Sequence, residues 1–462
     1  MSLTRRRVLT SLATSACAAA CLSGWRKASL RMGDLDETRS AYRRYVSAWG
    51  RMSIGESVDH REVRALLEHP STFDERLARF PESPFGVFTS CTPHRDVFHD
   101  FLDWGLRWLT APDSADPALP PMAQRGQAFA WQWSFWGRAA IELYEGTQDR
   151  RFLDLLVGAA QNVMDARADR HGIVDGNQKR IVKSWDSVIT FGGPSMSGSD
   201  ITVTGLIALP ILCLANRLAA EGEEHDDIIR MAQDLAPSFD EFEGYYVDLP
   251  EHDAGYYRYA FLPQIVEPIN HMTAFAAGLV ELYQFGGDSR HLERARKLLN
   301  FYRKATVVDR NGAISSPYEQ DPAFRKTPKS EYFWKMTVTA ELPLALARYG
   351  LLITEAEMIG IARTYADVVM NDPAGLNALT RSTETPRLID FRAPLSQESP
   401  EWKSYVPMVA AGLFFVDRDR RIGDKLLAAM VHFPHWFPNG FFSGGGVGLL
   451  ARAVSLRRGM HL

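Results

Sequence analysis

The sequence predicts an all-α protein, an (α/α)n toroid of five to six helical hairpins, closed or incomplete. Three features of the 462-residue chain predict it. A unit recurs from about Gln127: an apolar helix, a tight turn often holding Gly and Asp, an amphipathic helix, then a long polar loop. The first helices of the units begin near residues 127, 200, 271, 334 and 402. Those helices are apolar almost all round, as in Ala274-Phe275-Ala276-Ala277-Gly278-Leu279-Val280, and a helix without a polar face is buried. Their partners, such as Arg290–Arg303, are charged along one face and lie outside. Uniform burial of the inner helices favours a closed ring over an open helical solenoid.

Taken in order, residues 1–21 read as an export signal, 22–126 as a helical segment packing on the toroid, and 127–462 as the toroid itself. Thr4-Arg5-Arg6-Arg7 precedes an apolar run of small residues from Val8 to Ala20, the pattern of a twin-arginine signal. That run is too short for a membrane span. Ala18-Ala19-Ala20 is a candidate cleavage site, and Cys21 after it is a candidate for lipidation and a membrane tether. The expected location is periplasmic or secreted, with or without a lipid anchor. Cys91 and Cys213 could form a disulfide there or remain buried thiols.

The first unit pairs Gln127–Tyr144 with Arg151–Asp165, and the second pairs Ile201–Ala219 with His225–Leu235. The third pairs His271–Gln284 with Ser289–Arg303 through Phe285-Gly286-Gly287-Asp288. The fourth pairs Trp334–Tyr349 with Glu355–Met370, and the fifth Trp402–Val416 with Arg420–Val431. Val447–Leu456 is a last helical run that could help close the ring.

Each long loop leads from an outer helix to the next inner one, so all of them gather over the N-termini of the inner helices. Loops of that length in a compact domain are usually functional. Helix N-termini offer free N–H groups and partial positive charge, which favour an anionic ligand. The net charge is -4, yet the loops collect Lys and Arg beside aromatic side chains, a rim suited to an anionic polysaccharide. Trp185, Lys183, Arg392 and Trp436 are candidate contacts on that rim. No Cys/His spacing resembles a metal site, no phosphate loop is present, and nothing points to nucleic acid. The chemistry expected here needs no cofactor.

Residues 256–332 hold the densest set of candidate catalytic groups. Tyr256-Tyr257-Arg258-Tyr259 leads to Glu267-Pro268-Ile269-Asn270-His271, and Arg325-Lys326 precedes Tyr332. Asn, His, Arg and Tyr are the groups needed to remove a proton beside a carboxylate. One takes the proton, one returns a proton, and polar or cationic groups neutralise the carboxylate.

At Asn270-His271 and at Arg325…Tyr332 the chain resembles alginate lyases of the α/α-toroid type, with Asn-His heading an inner helix and a Tyr seven residues after an Arg. A looser likeness, through Tyr256-Tyr257-Arg258-Tyr259 and Tyr283-Gln284-Phe285-Gly286-Gly287-Asp288, is to the helical domain of glucuronyl C5-epimerases. The resemblance implies a lyase that cleaves a uronate glycan by β-elimination. Asn270 and Arg325 would hold the carboxylate, His271 would act as base or as a further carboxylate ligand, and Tyr332 would protonate the leaving oxygen. Tyr259 is the reserve for Tyr332, and Tyr256, Arg258, Tyr259, Glu267 and Lys326 would line the substrate. The sugar is not carried over, because Ile269 stands where a second Asn is usual. A C5-epimerase is the first alternative. Glu267 and Glu341 keep a glycoside hydrolase open, and a non-catalytic glycan-binding accessory of export is the last reading.

Overall fold

The computed structural model describes residues 125–147, 150–189, 196–223, 225–325, 331 and 335–369, with a few positions after 380. All of them fall in the second of two compact units, Asp96–Leu462. The predicted export signal, Cys91 and the fifth hairpin lie outside the described residues, apart from isolated positions of the hairpin.

The described residues are mostly helical, with small sheets between the helices. A helical turn, Gly126–Ala128, and a π-helical segment, Phe129–Trp133, lead into α1 (Ser134–Thr147). Its partner is α2 (Arg151–Asp165), buried along Phe152, Leu156, Ala160 and Val163 and exposed on the other side. The second hairpin is α3 (Ile201–Ala220) and α4 (Asp226–Asp240). The third is α5 (Ile269–Gly286) and α6 (Ser289–Ala305). The fourth starts as two pieces, α7 (Met336–Thr339) and α8 (Glu341–Arg348), and returns through α9 (Glu355–Arg363).

The turns explain themselves. Gly287 has φ 72°, a left-handed conformation that costs glycine nothing, and Asp288 caps α6 by accepting from the Arg290 amide. Thr354 and Glu357 make a reciprocal capping box at the start of α9. The fourth inner helix breaks at Ala340 because Pro343 has no N–H to give the carbonyl of Thr339.

The inner helices are buried nearly throughout, from Ile201 to Ala215 in α3 and from Met272 to Leu282 in α5. By length and composition α3 could cross a membrane, but 89% of its apolar window is buried inside the protein, so it is a core helix. α3 and α5 approach until backbone meets backbone: a methyl at Gly205 would lie 2.6 Å from the Cα of Phe275. α1 packs tightly on α3 as well, where a methyl at Gly137 would lie 2.6 Å from the side chain of Pro210. Pro210 also interrupts the ladder of α3, and the carbonyl of Ile207 accepts from the Trp133 indole at 2.9 Å.

A buried ionic network ties the inner helices together. Arg138 of α1 pairs with Glu341 of α8 at 3.0 Å, with 9% and 7% of the side chains exposed. Arg348 of α8 and Tyr349 each bond Glu281 of α5 at 2.6 Å, and Asn216 of α3 adds a bond at 2.8 Å. Between them lies Cys213, a free and buried thiol, with Arg138 and Arg348 at 3.5 and 3.4 Å from its sulfur. Burial pushes this thiol up to about 12 despite the two guanidinium groups.

The long connections are not all loop: they contain short strands. β1 (Ser187–Ile189) pairs with β2 (Met196–Gly198), each antiparallel to the other. Between α4 and α5 runs a three-stranded antiparallel meander, β3 (Tyr246–Leu249), β4 (Ala254–Tyr259) and β5 (Leu262–Val266), with a register shift at Arg258/Tyr259. Val307–Val308 and Ile314–Ser315 form a further pair after α6.

Candidate active site

The heads of three inner helices carry a set of ionisable groups that burial perturbs. Asp200 caps α3, accepting from the Val203 amide at 2.8 Å, and is 1% exposed. Burial pushes its carboxyl up to about 6, with the charge of Asp175 adding to the effect. Glu267 stands two residues before α5 and is fully buried. Its backbone N–H donates to the Tyr257 carbonyl at 2.8 Å, so β4 fixes its place.

Glu267 Oε1 lies 2.5 Å from Nδ1 of His271, one helical turn on, while Oε2 has no partner among the described residues. Burial first, and the charge of Asp200 second, raise this carboxyl well above the usual carboxylate range. His271 keeps 12% of its side chain exposed. Burial, then the charge of Lys335, hold its imidazole well below the ordinary value. Desolvation and a nearby cation therefore keep His271 neutral at pH 7.

Two more side chains complete the group. The Tyr259 ring sits 6.2 Å from the His271 ring, and burial keeps its phenol protonated, helped by Asp200, Glu267 and Tyr318. Lys335, immediately before α7, lies 3.8 Å from the centre of the Tyr318 ring. Burial brings its ammonium down to about 8, against the pull of Glu331 and Glu319. The carbonyl of Tyr318 accepts from the Ile269 amide at 3.0 Å, which ties that loop to the head of α5.

Of the catalytic set read from the sequence, Asn270 and His271 are together on α5. Asn270 is fully buried, and both ends of its amide lack partners among the described residues. An amide left so costs about 1–3 kcal/mol. Arg325 is not in the group. Its side chain is 78% exposed and pairs with Asp321, while its neighbour Phe324 packs against Phe301 of α6. Tyr332, Lys326, Arg392 and Trp436 lie outside the described residues.

The expected substrate contacts divide. Glu267 and Tyr259 belong to the group. Trp185 does not: it is fully buried and its indole donates to the Val163 carbonyl at 2.7 Å, a core role. Tyr256 packs on Phe301 of α6, and Arg258 is exposed on the face of β4 opposite Tyr257 and Tyr259. Lys183 is exposed, and its amide donates to Glu241 at 2.9 Å. Lys335 was missed, although a lysine just ahead of an apolar inner helix occupies the position that His271 holds near the head of α5.

A separate cavity of 600 Å³ opens on the outer side, between α4, α6 and β3. Its cations are already matched: Arg294 pairs with Glu243, Lys297 with Asp248 and Arg290 with Asp288. It is remote in character from the group above, which is where the unmatched chemistry lies. Among the described residues, no cluster of His, Cys, Asp and Glu could hold a metal ion.

No family model matches the chain, and no curated protein matches it. Among solved structures, a D-mannose isomerase is similar to it with a TM-score of 0.43 and 11% identity, over 72% of this chain and 87% of that one. A likeness of that size leaves the functional reading to the residues themselves.

Proposed function

We propose that the chain is an exported polysaccharide lyase that cleaves a uronate-containing glycan by β-elimination, and that its hairpins are part of an α/α toroid. The observation that carries the lyase reading is the His271–Glu267 pair, with a neutral imidazole beside the ammonium of Lys335. His271 Nε2 takes the proton from C5 of the sugar. Lys335 and the unpartnered amide of Asn270 neutralise the carboxylate as the electron pair moves onto it, the role first given to Arg325. The C4–O bond then breaks and a C4–C5 double bond forms. Tyr259, protonated at any working pH, is the described donor for the leaving oxygen. The bond from Arg138 to Glu341, between the first and fourth inner helices, supports the ring.

A hydrolase is less well supported. It needs two carboxylates divided into an acid and a nucleophile or base facing one bond. Asp200 and Glu267 are both buried and both shifted upward, so their environments do not divide them. The test incubates the full chain with uronate polysaccharides and follows the ultraviolet absorbance of the unsaturated product. His271→Ala is expected to abolish that signal while leaving the helical circular dichroism intact. Reducing ends without unsaturation, or solvent deuterium entering C5 without cleavage, would overturn the lyase reading in favour of a hydrolase or an epimerase.

A further inference from the structure

We propose that Glu267 and His271 hold one proton as a single unit, that this proton decides what Nε2 offers, and that Asp200 is the positioning residue that sets its affinity. The inference rests on the lyase reading for its use in catalysis, but not for its existence. The two groups are 2.5 Å apart in a place that water barely reaches. With one proton between them, the proton has two homes. On His271 it makes an imidazolium beside a carboxylate. On Glu267 it makes a neutral carboxyl that donates to Nδ1, and Nε2 then carries the ring N–H.

Every described group facing the pair favours the second arrangement. Lys335, at the head of α7, opposes an imidazolium. Asp200, at the head of α3, opposes a carboxylate at Glu267, and among the described residues Oε2 of Glu267 has no donor to support a negative charge. Tyr259 from β4 is a neutral phenol, and Tyr318 presents its ring to Lys335. Asp200 cannot swing away, because the Val203 amide holds its carboxylate at the start of α3.

The unit is therefore a base only after it has lost that proton. In the deprotonated state Glu267 is a carboxylate, Nδ1 carries the hydrogen, and Nε2 has a free lone pair. When Nε2 takes the C5 proton, the Nδ1 proton crosses to Glu267 Oε1. One C–H bond breaks, one N–H and one O–H bond form, one N–H bond breaks, and the electron pair stays with the sugar. No second reactant is required. The buried carboxyl is the proton's destination, so the imidazole relays a charge that it need not keep.

The test reads the ring nitrogens of His271 in the full chain by long-range ¹H–¹⁵N correlation across a pH series, with His271→Ala to assign the signal. The expected result is a change from the Nε2–H to the Nδ1–H tautomer as pH rises, with no imidazolium stage. Asp200→Asn, which keeps the helix cap, should move that change down by about one pH unit or more, since it removes a like charge. Glu267→Gln should abolish the change of tautomer. An imidazolium in the wild-type protein, or a midpoint unmoved by Asp200→Asn, would overturn the proposal. The two ideas fail separately. A tautomer change in a protein that yields no unsaturated sugar removes the lyase and leaves the proton unit. Unsaturated product from a protein whose His271 passes through imidazolium does the reverse.

Discussion

Replacing Arg138 with methionine strips one partner from an ion pair that is almost sealed from water. The Arg138–Glu341 contact is 3.0 Å, and 9% and 7% of the two side chains are exposed. Removing one member of such a pair typically costs about 3–5 kcal/mol, because the other charge is left buried and alone. One nitrogen of Arg138, Nη2, has no partner among the described residues, and losing an unsatisfied donor returns part of that. The expected cost of Arg138→Met is therefore about 3 kcal/mol, the lower end of the range. The double variant Arg138→Met/Glu341→Leu removes both charges and should lie within about 1 kcal/mol of wild type. Urea unfolding of the full chain, followed by far-ultraviolet circular dichroism at pH 7, measures both, provided the slope stays constant. A loss below about 1 kcal/mol for the single variant would refute the argument that this pair is desolvated. So would a double variant as unstable as the sum of the singles.

Three further outcomes follow from the same geometry. Turnover should fall as pH rises through about 8, where Lys335 loses its proton, and Lys335→Arg should remove that limb because a guanidinium does not titrate there; a limb unchanged in the variant would exclude Lys335 as its source. Asp200 has a folded-state value of about 6 against 3.8, so it favours folding most at acid pH and that contribution is lost as pH rises through 6. Asp200→Asn should therefore be more stable than wild type at pH 7.5, by up to about 3 kcal/mol at 1.36 kcal/mol per unit, and equal stability at that pH in a urea melt would contradict the shift. Gly205→Ala should destabilise the fold by about 1–3 kcal/mol by overpacking, and a thermal melt that matches wild type would show that α3 and α5 have room to part.

The first four hairpins were legible because burial writes itself into the chain. The run Ile201–Ala215 has no polar face, and Asp288 and Thr354 announce the next helix by capping it. The meander of β3, β4 and β5 was not legible. Its strands are short and partly exposed, they are broken by Pro250 and by Asp253 in a left-handed conformation, and nothing alternates for long enough to signal a sheet. Trp185 misled for a related reason. A place in a loop implies surface, yet Val182, Ser184, Trp185 and Asp186 all turn into the core.

The site was half legible. Asn270 and His271 were found from their place at a helix head, and Glu267 was found but given a substrate-lining role. Spacing along the chain chose Arg325, whereas the cation near His271 is Lys335, and only the packing of α7 against α5 brings it there. Partners that meet through tertiary contact leave no periodic trace, so Asp200 and Lys335 could be read as rim residues but not as neighbours of one imidazole.

A single hydrogen atom at position 205 has a reach beyond its own contact. Gly205 lies five residues beyond Asp200, and Phe275, which it touches, lies five residues beyond Asn270. Since α3 starts at Ile201 and α5 at Ile269, this contact lies within the first two turns of both helices and acts as their common pivot. A bulkier side chain there would splay the two ends like opened scissors, and a carboxyl–carboxyl separation that tunes proton affinity would change without any reactive group being touched.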